Sequence, residues 1–199
     1  HLDHLDPETV GPVAKASPNA RFVTTAWCNA ILNDLGISDD RIINPTTTEA
    51  LTLPGTSLKV TAVPGAHYDM EHDAVKGYRY IGFLIEWNGV TVYHAGDTIV
   101  YDGLVDRMRS LPTVDVAMVP VNGRDWYREN EIGAVGNLLP VEAGRLAHDL
   151  GWDLLIPGHN DLYPNNAIPM GDIIDGVFKV DPRQKVKLLQ PGELSYYVK

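Results

Sequence analysis

The chain begins with two imidazoles and a carboxylate within its first four positions. His1, Asp3 and His4 form a His-x-Asp-His cluster, and histidine together with aspartate suits divalent transition metals as a ligand set. A cluster this short also arises as an unrelated N-terminal run. The chemistry therefore depends on whether later residues supply further ligands.

Three later candidates share one context, because each follows a small residue at the expected end of an apolar strand. They are Ala66-His67, Gly96-Asp97 and Gly158-His159. Ligand sites of α/β proteins collect where strands end, and small residues let the backbone turn close to an ion. Taken alone, each has an ordinary alternative as a loop imidazole or, for Asp97, as a turn-capping side chain. Together with the N-terminal cluster they predict a metal centre.

The spacing of apolar and turn residues predicts the elements that position these side chains. Helices are expected over residues 7–16, 26–35, 101–110, 140–150 and 168–178. Strands are expected over residues 21–24, 42–43, 57–63, 78–87, 90–93, 114–119, 154–157, 186–189 and 194–198. Residues 46–54 and 71–73 are expected to be polar connectors. Asn88-Gly89 is a hairpin signal, whereas other strands alternate with helices, so residues 1–199 are predicted to form a single α/β domain with a mixed sheet.

Composition limits the partners. The 199 residues carry a formal net charge of −10, which argues against nucleic acid, and no apolar run approaches the roughly 18 residues of a membrane span. A single cysteine, Cys28, fits a cytoplasmic protein. A small anionic substrate would need a local cation. Arg124 and Arg128, in a polar loop over residues 122–138, are candidates, with a structural salt bridge as the alternative.

At these positions the chain resembles the metallo-β-lactamase superfamily. The superfamily's first motif is His-x-His-x-Asp-His, and its last four positions match His1-Leu2-Asp3-His4, while its later ligands match His67, Asp97 and His159. The stretches 92–98, 121–125 and 156–161, with Gly136-Asn137 and Glu142-Ala143, more closely resemble the L-ascorbate-6-phosphate lactonase-like branch.

The resemblance implies an αββα sandwich with mixed sheets and two divalent metal ions, zinc or manganese, with iron as an alternative. One ion would be held by His1, His67 and a further histidine, the other by Asp3, His4 and His159, and Asp97 would bridge them. The further histidine and most of the family's N-terminal β segment would lie upstream of His1. Without that segment, the remaining sheet is expected to expose an apolar face, which predicts instability or a compensating interface such as self-association.

The implied activity is metal-dependent hydrolysis. Metal-activated hydroxide would attack a lactone, or a phosphorylated sugar-acid lactone, with Asp3 and Asp97 as the catalytic carboxylates. His94 is expected beside the metal ligands. Substrate-binding candidates are Asn122, Arg124, Arg128, Asn137 and Tyr163. Two alternatives remain open, a phosphodiesterase or nuclease of the same superfamily and a metal-poor binding or oligomerisation module.

Overall fold

The structure of the chain is a computed structural model, and it describes residues 1 and 3–199. The α-helices are α1 (Pro7–Ala16), α2 (Asn29–Asp34), α3 (Leu104–Arg109), α4 (Pro140–Leu150) and α5 (Met170–Phe178). The strands are β1 (Phe22–Val23), β2 (Ile42–Ile43), β3 (Leu51–Thr52), β4 (Lys59–Pro64), β5 (His72–Asp73), β6 (Gly77–Tyr78), β7 (Ile81–Trp87), β8 (Val90–His94), β9 (Val116–Pro120), β10 (Leu154–Gly158) and β11 (Lys185–Val186).

One mixed sheet organises these elements, in the order β11-β10-β9-β8-β7-β4-β3. The pairs from β3 to β8 are antiparallel, and those from β8 to β11 are parallel. The antiparallel half contains the hairpin at Asn88-Gly89, where both residues have positive φ angles (50° and 78°), as a type I′ turn requires. The prediction of an α/β fold with a mixed sheet is therefore confirmed.

The main core lies between one face of this sheet and the helices α3, α4 and α5. Leu84 and Leu155 on the strands are fully buried with Leu146 of α4 and Ile173 of α5. Alternate strand residues point to the opposite face. Those side chains are only half-buried, and they include Phe83, Ile85, Val92, Met118 and Ile156. An incompletely covered apolar face was expected, whereas the instability or interface inferred from it stays a prediction.

The first helix supports the N-terminal cluster. Asp6 caps α1 by accepting the Glu8 N–H, and Pro7 occupies the first turn, which is the predicted start. Ala14 of this helix packs in a small separate core with Leu32 and Ile37. Because α1 is packed in this way, the residues directly before it, such as His4, are tied to a fixed helix.

Several element predictions are corrected by the structure. Residues 194–198 do not form a strand, although their polar and apolar residues alternate. The sheet ends at the two-residue β11, and Leu194, Tyr196 and Val198 are 73%, 81% and 87% exposed. Alternation without a partner strand does not make a ladder. The strand expected over 186–189 is accordingly only Lys185–Val186.

The other differences concern short elements. The connectors 46–54 and 71–73 contain β3 and β5, which pair with β4 and β6 over two residues each; such pairings are set by distant partners and leave little local signal. The helix expected at 101 begins at Leu104, after Gly103 with φ 92°. The segment 26–35 starts as a 3₁₀ turn, Ala26–Cys28, before α2. None of the helices in residues 1 and 3–199 is both long and apolar enough to cross a bilayer.

Candidate metal centre

The candidate ligands meet at one edge of the sheet because three strands end there. Strands β4 and β8 are both antiparallel to β7 and so run in the same direction, and β10 follows β8 through the parallel strand β9. Their carboxyl ends lead to His67, Asp97 and His159, respectively. Gly96 (φ 61°) and His159 (φ 58°) have left-handed backbone conformations that turn the chain sharply at the edge. For a non-glycine residue such a conformation is strained, and strain of this kind clusters at functional sites.

The N-terminal loop brings its three polar residues against this edge, and two groups of potential ligands result. His1, His67 and Asp97 form the first triad, and Asp3, His4 and His159 form the second triad. Within each triad the ligand atoms all lie within 4.8 Å of one another. The structure thus brings together all six residues predicted as ligands and divides them as the sequence resemblance implied.

Asp97 lies between the two triads. Its Oδ2 is 3.5 Å from His1 Nδ1 and 3.8 Å from His67 Nε2. Its Oδ1 is 3.1 Å from His4 Nε2 and 3.2 Å from His159 Nε2. One carboxylate oxygen therefore faces each triad, which is the arrangement a bridging ligand needs.

Two imidazole nitrogens in the centre are buried without a hydrogen-bond partner among the described residues. They are His67 Nε2 and His159 Nε2. The second of these lies 3.3 Å from Asp3 Oδ2 and close to Asp97, but without hydrogen-bond geometry. Buried polar atoms are normally paired. Unpaired imidazole nitrogens surrounded by carboxylates fit divalent cations, so the residues present match the ligand set of a metal centre.

A backbone carbonyl group orients the imidazole ring of His67. Its Nδ1 lies 3.1 Å from the carbonyl oxygen of Gly136, which places the proton on Nδ1 and leaves the lone pair of Nε2 directed into the triad. A backbone carbonyl that holds a metal-binding histidine in this way fixes both tautomer and ring orientation.

Asp97 and the histidines around it affect one another's pKa values. Burial raises the pKa of the Asp97 carboxyl, but the hydrogen bond from His4 and the nearby His159 and His67 outweigh it and hold the pKa below its usual value. The hydrogen bond to Asp97 raises the pKa of His4, against an opposing effect of burial. Asp97 is therefore ionised near neutral pH, as a metal ligand must be.

The polar loop 122–138 braces Asp97. Asn137 Nδ2 lies 3.3 Å from Asp97 Oδ1 and 3.0 Å from Asn122 Oδ1. Both asparagine side chains are completely buried. Asn122 and Asn137 were candidates for substrate binding, but neither side chain reaches solvent. Asn137 contacts the Asp97 carboxylate, and Asn122 contacts Asn137.

The two arginines of this loop are engaged in structural contacts. Both terminal nitrogens of Arg124 donate to Glu142, at 2.8 and 2.7 Å, and Nη1 also donates to the Asn137 carbonyl. Arg128 pairs with Asp125 and donates to the Asn122 carbonyl and to Asn166 Oδ1. The salt-bridge alternative raised by the sequence is what the structure shows for both.

Two cavities open onto the centre. The loop-side cavity, of about 320 Å³, reaches members of both triads, and its remaining lining is Ile132, Ala134, Val135, Tyr163, Asn165 and Asn166. The sheet-side cavity, of about 370 Å³, reaches His4, Asp97 and His159 and is lined further by His94, Met118, Ile156 and Leu189 among others. Tyr163 and His94 therefore lie where they were expected.

His94 is held beside the second triad. Its Nδ1 accepts the Gly96 N–H at 3.2 Å, and burial together with the nearby His4 lowers its pKa. The sequence reasoning missed Gly136, Ile132 and Val135. Ile132 belongs to a π-helical turn, Arg128–Ile132, and the glycine-rich run 133–136 was the available signal that this loop approaches the centre closely.

Comparison with known proteins shows the family to which the chain belongs, and its relatives are described as metal-dependent hydrolases. Residues 1–160 match the family described as "Beta-lactamase superfamily domain". A "UPF0173 metal-dependent hydrolase" of Hyperthermus butylicus is 29% identical over 99% of this chain and 78% of its own length. Another, of Methanoculleus marisnigri, is 30% identical over 73% of this chain. That alignment covers 62% of the Methanoculleus protein, less than two thirds of its length.

Solved structures agree with the fold. Igni18, described as a novel metallo hydrolase from Ignicoccus hospitalis, superposes with a TM-score of 0.72 at 20% identity, covering 100% of this chain and 77% of that one. An isothiocyanate hydrolase from Delia radicum gut bacteria gives a TM-score of 0.70 at 15% identity, covering 100% and 75%. At these identities the likeness concerns the fold.

Proposed function

Because the chain belongs to the beta-lactamase superfamily domain family, we propose that it is a metal-dependent hydrolase that opens a lactone or cleaves a related carboxylic ester at a dinuclear centre. The observation that carries this proposal is Asp97, whose two carboxylate oxygens face two separate groups of ligands. A mononuclear site would not need an aspartate with that orientation. The Nε2 atoms of His67 and His159 have no hydrogen-bond partner among the described residues, so each triad has an imidazole nitrogen available to coordinate a metal ion.

The residues that would hold the metal ions are His1, His67 and Asp97 on one side and Asp3, His4 and His159 on the other, with Asp97 facing both. Bound divalent ions lower the pKa of water and polarise a carbonyl group. Gly136 and Asn137 keep His67 and Asp97 in the orientation that coordination requires.

In this proposal Asp3 is the proton carrier. Its side chain lines the loop-side cavity beside His1, Asp97 and His159, and 13% of it remains exposed. In the overall reaction, the oxygen of water bonds to the carbonyl carbon and the ester C–O bond breaks. Asp3 accepts a proton from the attacking water and returns it to the departing alkoxide oxygen, which leaves a carboxylic acid and an alcohol.

The proposal is tested by metal content and hydrolysis together. The protein is dialysed against zinc or manganese, its metal is counted by mass spectrometry, and hydrolysis of γ-butyrolactone and p-nitrophenyl butyrate is followed. Asp97→Asn keeps the shape but removes the charge, and we expect it to lower metal affinity by at least about 100-fold. Asp102→Asn, an exposed aspartate outside both triads, is the matched control.

Wild-type protein that retains well under one metal ion per chain and hydrolyses neither compound would overturn the proposal and favour a binding module. Faster turnover of bis(p-nitrophenyl) phosphate than of either carboxylic ester would replace the ester hydrolase with a phosphodiesterase.

A further inference from the structure

The residues that line the two cavities beside the metal centre indicate which class of substrate fits there. We infer that the site takes a neutral, largely apolar ester or lactone and discriminates against phosphorylated or carboxylated ones. This inference rests on the proposed hydrolase function and narrows its substrate class. It departs from the anionic substrate that the sequence suggested.

The first support is that the two arginines expected to bind an anion already have protein partners. Both terminal nitrogens of Arg124 donate hydrogen bonds to the Glu142 carboxylate. Its pair is partly buried, with 25% of each side chain exposed. Arg128 is 14% exposed, and its nitrogens reach Asp125, the Asn122 carbonyl and Asn166. A substrate phosphate would have to break these contacts, leaving Glu142 or Asp125 without its partner at a cost in binding.

The second support is the lining of the cavities. Among the described residues that line either cavity, there is no lysine and no arginine. The loop-side cavity offers the amides of Asn165 and Asn166 as polar groups, and the sheet-side cavity offers Asn160 and Gln190. Amides bind hydroxyl and carbonyl groups of neutral molecules, whereas an anion without a cation partner is costly to desolvate.

The third support is apolar surface at the mouth of the loop-side cavity. Ile132, Val135 and Tyr163 line it and are 37%, 39% and 47% exposed. Trp126, in the same loop (residues 122–138) as Ile132 and Val135, is 68% exposed, and Leu162, directly before Tyr163, is 63% exposed. Exposed apolar side chains grouped around a cavity mark a binding surface for apolar groups.

Apart from Arg128, which is paired with Asp125, the charges of the adjoining turn have the same sign as an anionic substrate. The π-helical turn that ends at Ile132 also carries Glu129 and Glu131, and the whole chain has a net charge of −10. The positive charge of bound metal ions would be directed at the reacting carbonyl and at water. Among the described residues that line the two cavities, a second negative group on the substrate would meet apolar side chains, amides, carboxylates, imidazoles and the Tyr163 phenol, but no lysine or arginine.

A pair of substrates of equal length tests the inference. p-Nitrophenyl valerate and mono-p-nitrophenyl glutarate differ in that a methyl group is replaced by a carboxylate. With zinc- or manganese-loaded protein, we expect kcat/KM for the valerate to be at least about 10-fold higher. Equal or faster hydrolysis of the glutarate would overturn the inference while leaving the hydrolase proposal intact.

A cation placed in the wall should change this preference. Val135→Lys is expected to raise kcat/KM for the glutarate relative to the valerate by about 5-fold, the effect of one well-placed exposed ion pair. Val13→Lys makes the same change on α1, where Val13 is 49% exposed and lines neither cavity, and it should leave the ratio unchanged. A shift of the ratio in both variants, or in neither, would contradict the assignment of Val135 to the substrate wall.

Binding without turnover separates failure of this inference from failure of the proposed function. The corresponding anilides, valeryl-p-nitroanilide and glutaryl-p-nitroanilide, are titrated into metal-loaded protein by calorimetry. Tighter binding of the neutral anilide supports the inference even if no ester is hydrolysed. Tighter binding of the glutaryl compound overturns it even if both esters are hydrolysed.

Discussion

Replacing Gly136 by alanine tests whether a loop carbonyl controls the metal affinity of the first triad. A Cβ at this position would overlap Arg124 Cβ and would lie 3.1 Å from the hydroxyl oxygen of Tyr68. Arg124 is held in place by Glu142 and cannot move aside easily. The loop must therefore retreat and take with it the carbonyl oxygen that lies 3.1 Å from His67 Nδ1.

The size of the effect follows from these distances. Carbon atoms pack best at about 3.5–4.0 Å, so the loop has to retreat by about 1 Å or more. The His67–Gly136 contact would then open to about 4 Å, which is beyond hydrogen-bonding distance. Losing the group that orients a metal-binding histidine typically lowers metal affinity by about 10–100-fold, or about 1.4–2.7 kcal/mol.

The assay is a zinc titration of metal-free protein in competition with a chromophoric chelator. We expect the site that contains His67 to weaken by this factor and the site that contains His159 to change much less. Gly171→Ala is the control, because a Cβ there meets nothing within 4 Å. Wild-type zinc affinity in Gly136→Ala would refute the argument that the Gly136 carbonyl orients His67.

Three further predictions concern stability. Glu142→Gln should lower the free energy of unfolding by up to about 1 kcal/mol at pH 7. Although burial raises the pKa of Glu142, the hydrogen bonds from Arg124 and Leu139 lower it overall, so its contribution is fully present above the ordinary value of 4.5 and is lost as the pH falls through the lowered pKa of the folded protein; the difference between urea melts of the two proteins should be smaller at pH 4 than at pH 7, and a constant difference would contradict this. His159→Gly should be more stable than His159→Ala by about 1 kcal/mol when metal-free, because residue 159 has φ 58°; the usual order, with alanine more stable, would rule out backbone strain there. Leu84→Ala, at a completely buried position, should cost about 2–5 kcal/mol in denaturant unfolding, whereas Val75→Ala, at a position 93% exposed, should stay within about 0.5 kcal/mol.

The elements that were predicted well are those governed by neighbouring residues. Helix α4 spans Pro140–Leu150 as expected and ends at Gly151 with φ 66°, because proline at the start and a left-handed glycine at the end act locally. The hairpin at Asn88-Gly89 follows from its own turn residues. The two-residue strands β3 and β5 and the segment 194–198 were misjudged, because strand pairing depends on which other segment lies alongside in the folded protein.

At the candidate site, too, some features follow from the local sequence and others from tertiary packing. The sequence by itself determined the ligand types and their places after strands, since His67, Asp97 and His159 each follow a small residue at the end of a strand. Only the tertiary structure decided how the carboxylate of Asp97 is shared, because its two oxygens are oriented by Asn137 and by histidines distant in sequence. It also decided the role of Arg124, whose partner Glu142 lies 18 residues away. A guanidinium is equally suited to a phosphate and to a carboxylate, and which of them it meets depends on the packing of loop 122–138 against helix α4.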